Sequence, residues 1–166
     1  MPTPAVVLVD SMIVIEAVRT GCWNALTGRY RVATVEECAS ELRRGDTSLP
    51  GYIGVTDEML SRAVVHPLPA TVAAKFRLDY PDADGLDAGE RDLMALATTH
   101  TDEFRLCSCD KAALVAAHAL GLLDRVVSLE ALAESVGLRP NPALRSQFTE
   151  ARMRHWRTSL LLGGPI

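Results

Sequence analysis

Ala5-Val6-Val7-Leu8-Val9-Asp10-Ser11 is the stretch from which the fold of this chain is most directly predicted. A run of β-branched and aliphatic residues that ends on a polar residue is typical of a strand buried on both faces, as in parallel sheets. Asp10 stands where this strand ends. Because ligands of open α/β sheets bind at the carboxyl ends of the strands, Asp10 is the first candidate functional residue.

Predicted strands and helices alternate along the rest of the chain. The further strands are predicted at residues 29–33, 63–66, 104–109 and 126–128. Helices are predicted at residues 11–19, 23–26, 34–44, 57–62, 70–77, 87–99, 111–120, 129–136 and 143–162, and residues 79–85 form a loop. This alternation predicts an α/β fold with a central, mostly parallel sheet, helices on both faces and a C-terminal helix.

Length and composition predict one domain with a substantial core, since 48% of the 166 residues are hydrophobic. We expect residues 1–138 to form this domain and residues 139–166 to form a C-terminal helical extension. The four cysteines are too few for a disulfide scaffold and are expected to be reduced, buried side chains.

Charge and the absence of targeting signals narrow the function classes. The formal net charge of −4 argues against a protein that coats nucleic acid indiscriminately, but it is compatible with a site that gathers carboxylates. Residues 1–4 lack the basic flank of a secretory signal, and no apolar run reaches the length of a membrane span. We therefore expect a soluble, cytoplasmic protein with no membrane association.

Several acidic residues are predicted to meet at one edge of the sheet. Asp10 and Asp110 each follow a strand, and parallel strands end at the same edge. Two like charges about 4 Å apart repel by roughly 4 kcal/mol at an effective dielectric of 20, so such a cluster needs protons or a cation. Mg²⁺ and Mn²⁺ prefer oxygen ligands and bridge to phosphate, which makes either ion the candidate cofactor.

Two helices add acids to this set, and some of those acids also have a structural interpretation. Thr34 with Glu37 has the spacing of a capping box, which accounts for Glu37 and leaves Glu41, one turn later, as the candidate. Asp87 and Glu90 also have capping-box spacing, which is compatible with a site role. The residues alone therefore leave the choice within each pair open.

Four short motifs, in this order, resemble those of the PIN-domain nucleases over roughly residues 6–129. They are Val-Leu-Val-Asp10-Ser11, Thr34-Val-Glu-Glu-Cys-Ala-Ser-Glu41-Leu, Asp87-Ala-Gly-Glu90 with Leu93-Met-Ala-Leu-Ala97, and Cys107-Ser-Cys-Asp110-Lys111-Ala. The resemblance implies a three-layer PIN-like fold and a Mg²⁺- or Mn²⁺-dependent endoribonuclease. The Asp-x-Gly-Glu form of the third motif resembles a sister group of the PIN toxins.

The resemblance also assigns roles by position. The four catalytic acids would be Asp10, Glu41, Glu90 and Asp110, of which Asp10, Glu90 and Asp110 would hold the metal. Ser11 and Ser108 would match small hydroxyl residues of the site. Lys111, Arg43 or Arg44 could contact the RNA backbone.

Many small PIN proteins are toxins of toxin–antitoxin pairs, so the implied partners are an RNA substrate, an antitoxin protein and a second copy of the chain. The alternative is a catalytically silent PIN-like module that binds RNA or protein, in which the acids serve only as helix caps. A receiver-like phosphoacceptor domain is disfavoured because no acidic pair accompanies Asp10.

Overall fold

A five-stranded parallel sheet forms the centre of the molecule in a computed structural model that describes residues 5–166. The expectation of no secretory signal in residues 1–4 lies outside the described residues. The strands are β1 (Val6–Val9), β2 (Arg31–Val35), β3 (Val64–His66), β4 (Phe104–Cys107) and β5 (Val126–Val127). Their order across the sheet is β3-β2-β1-β4-β5, and every pair is parallel.

Helices cover both faces of this sheet. They are α1 (Ser11–Arg19), α2 (Trp23–Arg29), α3 (Glu36–Arg43), α4 (Asp57–Leu60), α5 (Ala70–Asp79), α6 (Ala88–Thr99), α7 (Lys111–Ala119), α8 (Leu129–Ser135) and α9 (Glu150–Leu161). Short 3₁₀ helices lie at Pro81–Gly85, Leu123–Arg125 and Ser146–Phe148. None of the helices described in residues 5–166 is both long and apolar enough to span a membrane.

Alternation along β1 creates two hydrophobic cores. Val7 and Val9 pack with residues of α1, α2 and α8, whereas Leu8 packs on the opposite face with residues of α5, α6, α7 and α9. All three side chains are at most 3% exposed. The prediction of a three-layer α/β fold with a central parallel sheet is therefore confirmed.

The strand order places a topological switch point at β1. The chain passes from β1 to β2 and β3 on one side, then returns to form β4 and β5 on the other side. The connections that follow β1 and β4 therefore run in opposite directions along the sheet. They leave a crevice between the carboxyl ends of these two strands, and ligands bind in this crevice in such folds. Asp10 follows β1 and Ser108 follows β4, so both stand at this crevice.

The prediction that Thr34 caps α3 is wrong. Thr34 lies inside β2, and its buried hydroxyl donates a hydrogen bond to the carbonyl oxygen of Val9 (2.7 Å). Val35 takes the N-cap position without a side-chain hydrogen bond, so Glu37 is not part of a capping box. Pairing with β3, in which Thr34 lies opposite Val65 and Val35 opposite His66, extends the strand beyond residue 33.

Other boundaries were also misplaced. The last helix begins at Glu150, not at residue 143, because Thr149 caps it and Ser146–Phe148 forms a separate 3₁₀ turn. Strand β4 ends at Cys107, short of residue 109, so Cys109 lies beyond the strand. The predicted loop at residues 79–85 contains the 3₁₀ helix Pro81–Gly85. All four cysteines are free, as expected; Cys22, Cys38 and Cys107 are buried, whereas Cys109 is only partly buried.

A buried ion pair anchors the segment that leads to α9. The fully buried Glu16 of α1 accepts two hydrogen bonds from Arg19 (2.6 and 2.9 Å) and one from the backbone N–H of Arg145 (2.9 Å). Arg19 also donates to the carbonyl oxygen of Ala143 (2.8 Å). Burial by itself raises the pKa of Glu16, but these hydrogen bonds and the two arginine charges lower it below its ordinary value.

Replacing Glu16 with alanine is expected to lower the free energy of unfolding by about 3 kcal/mol, because Arg19 is left partly buried without its partner. A carboxyl whose folded pKa is lowered stabilises the fold above its unfolded pKa, and this stability is lost as pH falls through the folded pKa. The difference between variant and wild type should therefore shrink in acid. Urea denaturation at neutral and acidic pH measures both effects. Glu134→Ala, at an exposed site on α8, is the control and should change stability by less than about 0.5 kcal/mol.

Candidate functional site

Asp10 is the most buried acid at the carboxyl edge of the sheet, with 4% of its surface exposed. One carboxylate oxygen, Oδ1, accepts a hydrogen bond from the backbone N–H of Ile13 (2.9 Å) and thereby caps α1. The other oxygen, Oδ2, accepts a hydrogen bond from the hydroxyl of Ser108 (2.8 Å). Both oxygens are therefore satisfied, which is the condition for keeping a carboxylate out of water.

Ser108 connects Asp10 to Asp110 across the crevice. Its hydroxyl oxygen, which donates to Asp10, also accepts a hydrogen bond from the backbone N–H of Asp110 (3.3 Å). The Asp110 carboxylate in turn caps α7 by accepting from the N–H groups of Ala112 (2.7 Å) and Ala113 (3.3 Å). The two acids predicted at strand ends are thus held beside one another by one serine.

Asp87 and Glu90 approach the same place from the start of α6. Their predicted capping box is present: Asp87 accepts from the backbone N–H of Glu90 (2.8 Å), and Glu90 accepts from the backbone N–H of Asp87 (3.4 Å). The capping role therefore coexists with membership of the acidic cluster, defined here as Asp10, Asp87, Glu90 and Asp110. Asp87, which the sequence alone left as an alternative to Glu90, belongs to this cluster together with it.

Electrostatic coupling shows that these four acids share one environment. Burial raises the pKa of Asp10 to about 6, the hydrogen bonds from Ile13 and Ser108 oppose this, and the charges of Asp87 and Asp110 raise it further. Burial also raises the pKa of Glu90 to about 8, and the charges of Asp110, Asp87 and Asp10 contribute to that increase. Strongly raised carboxyl pKa values at a crevice are typical of functional sites.

Glu41 lies at the rim of the acidic cluster. Its carboxylate accepts a hydrogen bond from the hydroxyl of Ser11 (2.7 Å), the residue after Asp10. It also lies against Gly89, the residue before Glu90: a Cβ placed on Gly89 would come within 2.7 Å of Glu41 Oε1. Glu37 instead forms a surface ion pair with Arg44 (3.0 Å), so Glu41 is the acid of α3 that reaches the crevice.

Thiols beside the acids do not have the character of nucleophiles. Burial raises the pKa of Cys38 to about 12, and the charges of Asp10 and Glu41 raise it as well. Burial likewise raises the pKa values of Cys107 and Cys109 well above the ordinary value, with Asp10 adding to both shifts. All three thiols therefore remain protonated near neutral pH.

The three basic residues with predicted roles lie in different surroundings. Arg43 is exposed and pairs with Asp57 (3.3 Å), and Arg44 is exposed and pairs with Glu37, as noted above. Lys111 is the first residue of α7, directly after Asp110, and its ammonium nitrogen lies 5.9 Å from the ring centroid of Trp156. Of the three, Lys111 is the cation next to the acidic cluster in sequence.

The described side chains do not form a closed ligand shell. Within residues 5–166, no three side chains of His, Cys, Asp or Glu are arranged so that they could hold a metal ion. Asp10, Asp87 and Asp110 each direct a carboxylate oxygen to helix N–H groups. The charges of these acids affect one another's pKa values, while Asp10, Asp87 and Asp110 are each hydrogen-bonded to the N-terminus of a different helix.

Comparison of the sequence with protein-family models and with curated proteins gives no match.

We expect Asp10→Asn to stabilise the folded protein at neutral pH by up to about 3 kcal/mol in the presence of EDTA. The pKa of Asp10 rises from 3.8 to about 6 on folding, so its contribution to stability is complete below pH 3.8 and is lost as pH rises through 6. Asparagine can hydrogen-bond to Ile13 and Ser108 without a charge. Urea denaturation across this pH range measures the difference, which should vanish in acid.

Asp124→Asn, at an exposed position, is the control for this measurement and should leave the pH dependence unchanged. A variant at Asp10 that is less stable than the wild type at neutral pH would contradict the described burial of the charged form.

Gly89→Ala tests the contact between α6 and Glu41. Alanine normally stabilises a helix relative to glycine by up to about 1 kcal/mol, and we expect Gly28→Ala in α2, where a Cβ meets nothing within 4 Å, to show that gain. Gly89→Ala should show none, because its Cβ displaces the Glu41 carboxylate from Ser11. In a Glu41→Ala background part of the gain at residue 89 should return, as a double-mutant cycle by urea denaturation would report; the remaining contact, at 3.0 Å from the buried Cys38 Sγ, keeps the gain below that at Gly28. Equal gains at both glycines in the wild-type background would refute the contact.

Proposed function

We propose that this protein is a divalent-metal-dependent endoribonuclease of PIN type. The observation that carries the proposal is the meeting of Asp10, Asp87, Glu90 and Asp110 at the crevice beyond β1 and β4, where their charges raise the pKa values of Asp10 and Glu90. The order and spacing of the motifs around these acids support the same activity, as does the three-layer parallel fold.

The chemistry of the donor set fits a hard divalent cation. All four members of the cluster are carboxylates, and the charges with the largest effects on Asp10 and Glu90 are those of the other acids. Asp10, Glu90 and Asp110 would hold Mg²⁺ or Mn²⁺, which when bound lowers the pKa of a coordinated water and offsets negative charge on a phosphate. The mutual repulsion of these acids, together with their burial, is the physical reason for them to bind a cation.

The protein's own residues prepare the site in three ways. Ile13 and Ser108 fix the orientation of the Asp10 carboxylate, and Ser108 ties it to the backbone of Asp110. Burial and the neighbouring acids raise the pKa of Glu90 to about 8 without a cation, so a cation that binds there would displace the Glu90 proton. Ser11 holds the Glu41 carboxylate at the rim, where it can bind or deprotonate a water molecule.

The resemblance to PIN toxins supports finer proposals about partners. RNA is the proposed substrate, and an antitoxin that offers a basic side chain to the acidic cluster is the proposed inhibitor. A second copy of the chain is the proposed homodimer partner, and the cytoplasm is the proposed location. These proposals concern a toxin, and the nuclease proposal does not depend on them.

A catalytically silent RNA-binding module is the second candidate, and one observation favours it. Asp10, Asp87 and Asp110 each cap a helix, which gives every one of them a structural reason to be present. The lack of a closed ligand shell in residues 5–166 agrees with this interpretation. The two candidates differ in whether the acids are needed for turnover.

Purified protein is expected to cleave a labelled mixture of single-stranded and structured RNAs with Mg²⁺ or Mn²⁺ and not with EDTA. Asp10→Asn and Asp110→Asn should each reduce the cleavage rate by about 100-fold or more. Each substitution removes a carboxylate that would hold the cation, and the cation offsets the negative charge of the phosphate. Asp124→Asn, an exposed substitution of the same type, is the matched control and should cleave like the wild type.

The same proteins also separate the two candidates. If the protein is a nuclease, its Tm should rise by several degrees when Mg²⁺ or Mn²⁺ is present at about 100 times the dissociation constant of the metal. The Tm of Asp10→Asn should rise by less. RNA binding by all variants, without cleavage and without a metal-dependent rise in Tm, would reject the nuclease and favour the silent module.

A further inference from the structure

Helix α9 begins at the same edge of the sheet as the acidic cluster. Ser128 directly follows β5 and donates a hydrogen bond to the carboxylate of Glu150, the first residue of α9 (2.6 Å). Glu130 accepts a hydrogen bond from the backbone N–H of Glu150 (2.6 Å). Because β5 is parallel to β4 and pairs with it, these contacts place the first turn of α9 beside the carboxyl ends of the strands.

Two cations from different helices approach one aromatic ring at this edge. The ammonium of Lys111, the first residue of α7, lies 5.9 Å from the ring centroid of Trp156. The guanidinium of Arg152, in the first turn of α9, lies 5.8 Å from the same centroid. Trp156 is only 6% exposed and belongs to the core between α7 and α9, so the ring is a rigid support for both cations.

The charges of both residues are available to a ligand. Lys111 and Arg152 are exposed, and among the side chains that the structure describes neither has a carboxylate partner within 4.0 Å. Arg43 and Arg44, in contrast, are each paired with an acid. Arg152 also borders a shallow cavity of about 460 Å³ whose other lining residues are Ser146, Thr149, Ala151 and His155.

We infer that Lys111 and Arg152 form a phosphate-binding pair for a single strand of RNA that enters the crevice. The inference rests on the proposed function, and it names the residues that would guide the RNA to the acidic cluster. An edge with four carboxylates repels a polyanion, so binding needs cations beside it, and Lys111 adjoins Asp110 in the sequence. Two cations supported by a rigid ring lose little side-chain freedom when they contact phosphates.

Fluorescence anisotropy with a labelled single-stranded RNA oligonucleotide tests the inference, with every protein in the Asp10→Asn background so that the RNA stays intact. Lys111→Ala and Arg152→Ala should each weaken binding by about tenfold, the size of effect expected for one charged hydrogen bond. The double variant should also reduce the slope of log affinity against log salt concentration by about 1.4, since each lost phosphate contact on a single strand removes about 0.7. Lys111→Arg and Arg152→Lys should retain affinity.

Arg154→Ala removes the same charge from an exposed position of the same helix and is the matched control. It should weaken binding by less than about twofold. Equal losses in Arg154→Ala and Arg152→Ala would mean that only net charge matters and would overturn the inference. The same substitutions can be tested for binding of a poly-glutamate peptide. If Lys111→Ala and Arg152→Ala weaken binding of this peptide more than binding of RNA, the pair serves an acidic protein partner, and the inference is overturned.

Failure of this inference and failure of the proposed function give different results. Binding that depends on Lys111 and Arg152, in a protein that cleaves no RNA, would retain the phosphate-binding pair and reject the nuclease. Metal-dependent cleavage by the wild type, with affinity unaffected by either substitution, would retain the nuclease and reject the pair. Urea denaturation of each variant checks that Trp156 still packs between α7 and α9.

Discussion

The Asp10 carboxylate is held out of water at the end of the central strand, and the surrounding structure is arranged around its hydrogen bonds. Ile13 in α1 donates to one oxygen, and Ser108 beyond β4 donates to the other. A buried carboxylate without such donors would cost several kcal/mol, so both elements must be in place for the charged form to persist. The position of the crevice between β1 and β4 is therefore maintained by the same bonds that orient the acid.

Three helix N-termini meet at this edge, and they explain how it tolerates its negative charge. Asp10, Asp87 and Asp110 are the N-caps of α1, α6 and α7. Each N-terminus carries a partial positive charge of roughly half an elementary charge, which stabilises a nearby carboxylate. The acids still raise the pKa values of Asp10 and Glu90, so the helix dipoles offset only part of the repulsion.

The C-terminal segment connects both faces of the sheet to this edge. Glu16 on one face anchors the approach to α9 through Arg19 and the backbone of Arg145. On the other face, Trp156 packs against the core beside α7. The segment before α9 and the middle of the helix are consequently both held in place, and the first turn of α9 brings Arg152 to the Trp156 ring that Lys111 also approaches. Positive charge from a distant part of the sequence is thereby placed at the same ring as Lys111, the residue after Asp110.

The sequence by itself determined the alternation of strands and helices and the end of β1, because buried strands and capped helices leave local patterns. It also singled out Asp10 and Asp110, since each follows a predicted strand, and Glu90, since it lies in the first turn of a predicted helix. Only the tertiary structure decided that Thr34 pairs in β2, that Asp87 joins the cluster and that Glu41 reaches Ser11. Those outcomes depend on hydrogen bonds and charges between residues far apart in the chain, such as Asp10 and Ser108, which leave no periodic signal in the sequence.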